Sequence, residues 1–416
     1  MPKATRAVQI GAAVTVLLLA AGCGGGSGGF SDSSSSAGQK AGKASLQVLI
    51  ASSGDAETAY VTSTANTWAT KTGNTVKVIP AQDMTQQLSQ GFAGGNPPDV
   101  FYVDASKVAD LAKAGSLEPY ADKVKDNSDF YESLRTTFTY EGKQYCVPKD
   151  FSTLALEIRT DAWDKAGLTD ADIPTTWDQL AAVAKKLTTG KQTGLVIGDT
   201  RDRIGAFMVQ DGGWILNGDA TQPTADTPEN VKALQFVKDQ LAAGSFKYPK
   251  QVDAGWGGEA FGTGKAAMTI EGNWIRGAMK NDYPTVKYSV HELPKGPAGA
   301  GTLLFTQCYG MAAASKYKTQ AKSLIEALTS VDSQLAAADA FGVMPSRQSA
   351  KDGYVAKYPD DAPFVAGAEY GHGPANAPGI DSALADFDSG LQQLTSKDPS
   401  VLLKSLQTNI SAALKG

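Results

Sequence analysis

The chain has 416 residues, 42% of them hydrophobic, with 38 Lys and Arg against 43 Asp and Glu and a formal charge of −5. It can bury a large core, and its length allows two or three domains or two lobes built from one interrupted chain. The charge balance excludes the basic excess needed to bind nucleic acid or anionic lipid. Two histidines, His291 and His372, and three cysteines exclude a His-rich metal site and tilt the reading away from hydrolytic enzymes.

In chain order, Lys3 and Arg6 precede an apolar run from Ala7 to Gly22. That pattern reads as a secretory signal, too short to cross a bilayer comfortably. The next stretch, Leu19-Ala20-Ala21-Gly22-Cys23, resembles the lipobox of bacterial lipoproteins, in which the cysteine becomes the lipidated N-terminus. Lipoboxes usually carry Leu three places before the cysteine, whereas this chain has Ala20 there. That departure bears on the cut site more than on the class. An ordinary signal peptide with an incidental Cys23 is the competing reading. Residues 23–44 are mostly Gly and Ser and read as a flexible tether, with a root-mean-square span of about 25 Å.

From Ser45 the pattern alternates. A strand is predicted over Ser45–Ala51, a helix over Asp55–Thr70 and a strand over Thr75–Ile79 ended by Pro80. A helix near Met84–Phe92, a strand over Asp99–Asp104 and a helix from Ser106 to Ala114, stopped by Gly115, follow. This rhythm argues for a parallel α/β sheet. Ser152–Arg159 reads as another strand. Thr176, with Gln179 in capping-box position, opens a helix, and Thr227-Pro228 opens one that ends at Gly244. Ala266–Ile270 reads as a buried strand, and Ala321, Leu324, Ile325 and Leu328 mark one more amphipathic helix.

Several segments stand apart from this scaffold: Tyr145 to Asp150, Asp211-Gly212-Gly213-Trp214, Gly255 to Phe261, Gly264 to Trp274, Cys308-Tyr309-Gly310 and Gly342 to Arg347. With Asn96-Pro97-Pro98-Asp99 and Thr176-Trp177-Asp178, their order and spacing resemble the extracellular solute-binding proteins of ABC importers, in the carbohydrate branch typified by maltose-binding protein. The resemblance runs from about Ser45 to the C-terminus. Single motifs are weak; their order together with the lipobox is the specific signal. It implies a two-lobed α/β periplasmic-binding-protein fold of type II, maltose-binding-like, with a three-segment hinge. The crossings fall near 146–150, 305–309 and 346–350. The first lobe then holds 45–146 and 308–346, and the second 150–305 and 350–416.

The resemblance also implies a function. The protein is expected to capture a small-molecule carbohydrate, a di- or oligosaccharide, by lobe closure and to deliver it to ABC permease subunits. It is expected to be a monomer outside the cytoplasmic membrane, held there by its N-terminal lipid alone. No catalysis, cofactor, metal or nucleic acid is expected. Two alternatives stand beside this reading: a non-sugar solute such as a polyamine or phosphorylated polyol, and a surface-anchored glycoside hydrolase. Cys146 and Cys308 land on neighbouring crossings, so a single disulfide competes with two buried thiols.

Sugars present apolar C–H faces and hydroxyl edges, so a site needs aromatic platforms together with carboxylates and amides. Trp274 follows the strand and a turn through Gly272, where the family places a stacking Trp. Trp256, in a Gly-rich stretch, is a second candidate, and core burial is the rival reading for both. Tyr102 and Asp104 end a strand, and ligands of open α/β sheets gather outside strand carboxyl ends. Asp150, Ser152 and Asp55 fall at positions the family uses for polar contacts. Trp214 serves either the ligand or the Gly212-Gly213 turn, and Tyr309 is a weaker aromatic candidate. Trp68, Trp163 and Trp177 read as core. Arg201 and Arg203 either clamp the ligand or are solvated.

Overall fold

The computed structural model describes residues 43–415. The expected signal segment, the expected lipidation site Cys23 and nearly all of the tether lie outside the described residues. The predicted β-α-β-α-β start forms as β1 (Ser45–Ile50), β2 (Thr75–Pro80) and β3 (Val100–Asp104), with β1 in the middle and parallel to both. Alternation along β1 sends Leu46, Val48 and Ile50 to one side, against Val61, Ala65 and Trp68 of the helix Asp55–Thr72. Leu49 faces the other side, with Leu88, Phe101 and Val108. Both faces are thus covered by helices, as a parallel sheet requires. The first helix stops at Gly73, whose φ of +71° suits a residue without a Cβ.

A short hairpin, β4 (Thr139–Tyr140) and β5 (Lys143–Gln144), precedes β6 (Val147–Pro148). The chain then enters a second sheet through β7 (Ser152–Arg159), β8 (Thr193–Val196), β9 (Phe246–Lys247), β10 (Ala266–Gly272), β11 (Tyr288–His291) and β12 (Thr302–Phe305). It returns through β13 (Gln307–Met311), and β14 (Gly371–His372) completes the second sheet. The first sheet has the order β2-β1-β3-β13-β6; the second runs β14-β12-β7-β10-β8-β9, with β11 on β7.

Three stretches run side by side where the chain passes between the sheets. The Lys149 N–H donates to Gln307 O at 3.0 Å and the Phe151 N–H to Met344 O at 3.1 Å. Ser346 Oγ donates to Pro148 O at 2.8 Å. Cys146 and Cys308 form a disulfide at this place, with Cα atoms 5.6 Å apart across a sequence separation of 162. The carboxyl ends of β1 and β3 and those of β10 and β12 therefore open onto one shared space, the position where open α/β sheets place ligands.

Candidate functional site

That space is a cavity of about 580 Å³ with two unlike walls. On the first-sheet side Glu57, Lys149 and Asp150 form a buried ion triad. Lys149 Nζ lies 3.0 Å from Glu57 Oε1 and also contacts Asp150 Oδ2. Glu57 sits in the first turn of the helix Asp55–Thr72, where free N–H groups and the helix dipole favour an anion. Its Oε2 accepts from the Ser53 N–H and Ser53 Oγ, both at 2.7 Å, and its Oε1 from Tyr102 OH at 3.0 Å. Burial opposes the Glu57 charge, but Lys149 and the Ser53 donors outweigh it and hold the carboxyl below its usual pKa. For Lys149 burial pulls downward, and Asp150 and Glu57 more than reverse it. Asp150 stays raised, because burial exceeds what a lysine shared with Glu57 returns.

The opposite wall is aromatic. Trp274 follows β10 and is 36% exposed, which makes it one of two large hydrophobic side chains exposed to this degree among the described residues. Its ring is held from several directions. The Arg203 guanidinium lies 5.0 Å from the ring centre, Phe305 meets the ring edge-on at 5.1 Å, and the indole N–H donates to Glu271 Oε2 at 3.1 Å. Arg203 in turn binds Glu271 Oε2 through Nη2 at 2.6 Å and Nε at 3.2 Å. One carboxylate oxygen thus fixes both the cation and the ring stacked on it. Gly272 makes room, since a Cβ there would come 2.2 Å from the indole.

Behind Glu271, its own N–H donates to Glu157 Oε2 at 3.1 Å. Glu157 is fully buried with Oε1 lacking a hydrogen-bond partner. Burial and the neighbouring Glu271 charge push its carboxyl well above the usual range. The lining also carries Asp104, Asp202 and Arg201, and Arg201 is already paired with Asp388. Both cations of the lining are therefore committed to carboxylates, which gives the cavity an acidic and hydroxyl-accepting character. At the rim, Lys107 pairs with Asp381, the Ala109 N–H donates to Asn376 Oδ1 at 3.1 Å and the Gly379 N–H to Asp110 Oδ1 at 3.1 Å.

Of the residues expected from sequence, Asp104, Asp150, Ser152, Trp214 and Trp274 line this cavity. Asp104 also caps the following turn through the Ser106 N–H at 2.9 Å, and Ser152 Oγ accepts from the Asn273 N–H at 3.1 Å. The other expected residues sit elsewhere. Asp55 is exposed on the same first turn, and Glu57, two positions on, turns inward in its place. Tyr102 and Tyr309 are buried at 2% and 4% exposure, packed edge-to-face at 5.3 Å beneath the triad. They support the wall without forming its surface. Trp256 caps the short helix Gly257–Gly262 and lies over Gly258, where a Cβ would come 2.1 Å from its ring. It packs beside Phe261 and is absent from the cavity lining. Gly272 contributes space rather than contact. Sequence reading missed Glu57, Lys149, Glu271, Asn273, Phe305 and Phe341, and left Arg203 undecided. An acid in the first helical turn and a lysine beside Asp150 were the signals available for the first two.

The profile of bacterial extracellular solute-binding proteins matches residues 63–365, and the chain belongs to that family. It is a family of binding proteins, and of extracellular ones. A binding protein of Brucella abortus (strain 2308), whose name specifies no ligand, is 26% identical over 357 residues, 82% of this chain and 85% of its own length. The diacetylchitobiose binding protein of Streptomyces coelicolor is 26% identical over 285 residues, 64% of each chain. The cyclic alpha-maltosyl-1,6-maltose binding protein from Arthrobacter globiformis matches 90% of this chain and 100% of its own with a TM-score of 0.80 at 21% identity. The fold is accordingly the two-lobed, maltose-binding-like α/β fold. Among the described residues no helix is long and apolar enough to cross a membrane.

Proposed function

We propose that this protein captures a neutral di- or oligosaccharide between its lobes and hands it to the membrane permease of an ABC importer. The observation that carries this reading is the pairing of one exposed, braced indole with a facing wall of buried carboxylates. Trp274 offers a flat apolar surface to a sugar's C–H face, while Asp150, held by the Glu57–Lys149 pair, and the exposed Asp104 offer acceptors to its hydroxyls. The side-by-side stretches near 146–150, 305–309 and 346–350 serve as the hinge, and the rim contacts of Lys107, Asp110 and Asn376 favour the closed form. Taking such a protein from 99% open to 99% closed requires about 5.5 kcal/mol of differential affinity. Aromatic stacking and charge-assisted hydrogen bonds made only on closure supply energy of that order. Outside the membrane, a lipid on Cys23 tethers the monomer to the outer face of the cytoplasmic membrane; palmitate labelling abolished by Cys23→Ser checks this point.

The test of the ligand class is thermal unfolding against a panel of solutes. Melting should rise with malto-, chito- or arabino-oligosaccharides and stay unchanged with sn-glycerol 3-phosphate. The acidic lining favours one second reading, a polyamine. A rise with spermidine and none with any saccharide would replace the sugar reading with that one.

A further inference from the structure

A second cavity, of about 360 Å³, lies on the far side of Trp214 and His372. These two residues line both cavities. Their rings are 4.4 Å apart and inclined by 43°, so the pair forms a partly exposed aromatic sill between two spaces. Beyond the sill the lining continues through Gly212, Gly213, Thr224 and Glu229.

The sill is rigidly built. The fully buried Asn230 donates through Nδ2 to Trp214 O at 2.9 Å and to Thr224 O and Ala225 O at 3.0 Å. Thr224 Oγ1 donates to Trp214 O at 3.0 Å. One amide thus ties the two ends of the loop 214–225 together. Gly213 has to be glycine, because a Cβ would come 2.1 Å from Asn230 Oδ1. Gly205 lets the indole lie close to its helix, where a Cβ would stand 3.3 Å from the ring. Stacking surface, hydroxyl groups and a single exposed carboxylate make a lining that suits uncharged hydroxylated units.

We infer that the second cavity is an extension subsite, which receives the overhanging units of a linear oligosaccharide whose first units occupy the main cleft. This inference rests on the sugar-capture reading and sharpens it, since a solute confined to the main cleft has no use for the second cavity. The ligand passes over the Trp214–His372 sill, stacks there, and meets Thr224 and Glu229 beyond it. Trp214 then belongs to both sites, while Glu229 belongs to the extension alone.

The experiment is titration calorimetry on the full-length protein with malto-, chito- and arabino-oligosaccharides of increasing length. In a series that binds, wild-type affinity should keep rising as units are added beyond the shortest bound member. Glu229→Ala should leave the shortest member unaffected and weaken the longer ones. Trp214→Ala should flatten the length dependence further, by roughly two- to tenfold for the long members. Affinity independent of length, or variants that lose the same factor at every length, would overturn the extension subsite while leaving sugar capture intact. Absence of binding by every series brings down the sugar reading itself. Glu229→Ala alters an exposed side chain, so it reports even where Trp214→Ala fails to fold.

Discussion

The two walls of the cleft solve the problem of meeting a polar ligand in opposite ways. The first-sheet wall buries its charges: Lys149 serves two carboxylates, and the side chains of Glu57, Lys149 and Asp150 are 2%, 9% and 12% exposed. The second-sheet wall buries its charges one layer back, in Arg203 and Glu271, and offers an indole in front. Each wall is braced by its own ion pairs and hydrogen bonds, the first around buried carboxylates and the second around an aromatic surface. The difference teaches that the buried ion triad stands on the first-sheet side and the braced indole on the second, so a solute that touches both has to bridge the two sheets.

The sharpest way to break this comparison is to remove the shared cation. Lys149→Met leaves Glu57 and Asp150 buried without a counter-charge, and should cost about 3–5 kcal/mol in denaturant unfolding at neutral pH. The loss should shrink on acidification as the carboxylates take up protons. A variant as stable as wild type would mean that the triad is not a coupled unit.

Glu157 tests the layer behind the aromatic wall. Its folded-state pKa is raised, so the folded protein holds a proton that the unfolded chain releases above about pH 4.5. Its contribution is therefore fully present below that pH and is lost as pH rises towards the folded value, by about 1.4 kcal/mol per unit. Glu157→Gln keeps the neutral form at every pH. Its stability relative to wild type should increase as pH rises above about 4.5, as followed by urea unfolding, and a constant difference would show that Glu157 is ionised when folded.

Two smaller effects concern the platform. Trp274→Ala should weaken saccharide binding by about 1 kcal/mol or more while the ligand-free melting temperature hardly moves. Unfolding of the ligand-free variant would instead make Trp274 a core residue. The pair Arg203→Met with Glu271→Gln removes the brace without stranding a charge. It should weaken binding by roughly 0.5–1 kcal/mol and broaden the Trp274 indole N–H resonance. Unchanged binding would mean that Phe305 and Gly272 suffice to hold the ring.

Much of the scaffold was legible in the sequence because its causes are local. The alternating apolar residues of Ser45–Ile50 set the two faces of β1, Thr227 with Pro228 started a helix, and Gly244, with φ of +74°, ended it. Trp274 was legible because its surrounding motif carries a resemblance. Asp55 against Glu57 was not legible, since two residues on one helical turn face different ways and only the packing of the helix on β1 decides which turns inward. The sequence left Trp256 between ligand and core for a similar reason: a Gly-rich stretch frees a ring to be presented, but equally lets it fold back onto its own helix, as it does here.

By itself, then, the chain's order of residues determined the alternation of strands and helices, the acidic balance and the family to which it belongs. Those follow from backbone geometry and side-chain chemistry acting over a few neighbouring positions. Tertiary structure alone decided that Lys149 would answer both Glu57 and Asp150, that Arg203 would lie beside Trp274, and that Trp214 would meet His372. Each of those pairings except Lys149 with Asp150 joins residues dozens of positions apart, and a contact of that kind exists only once two packed sheets fix where its partners stand.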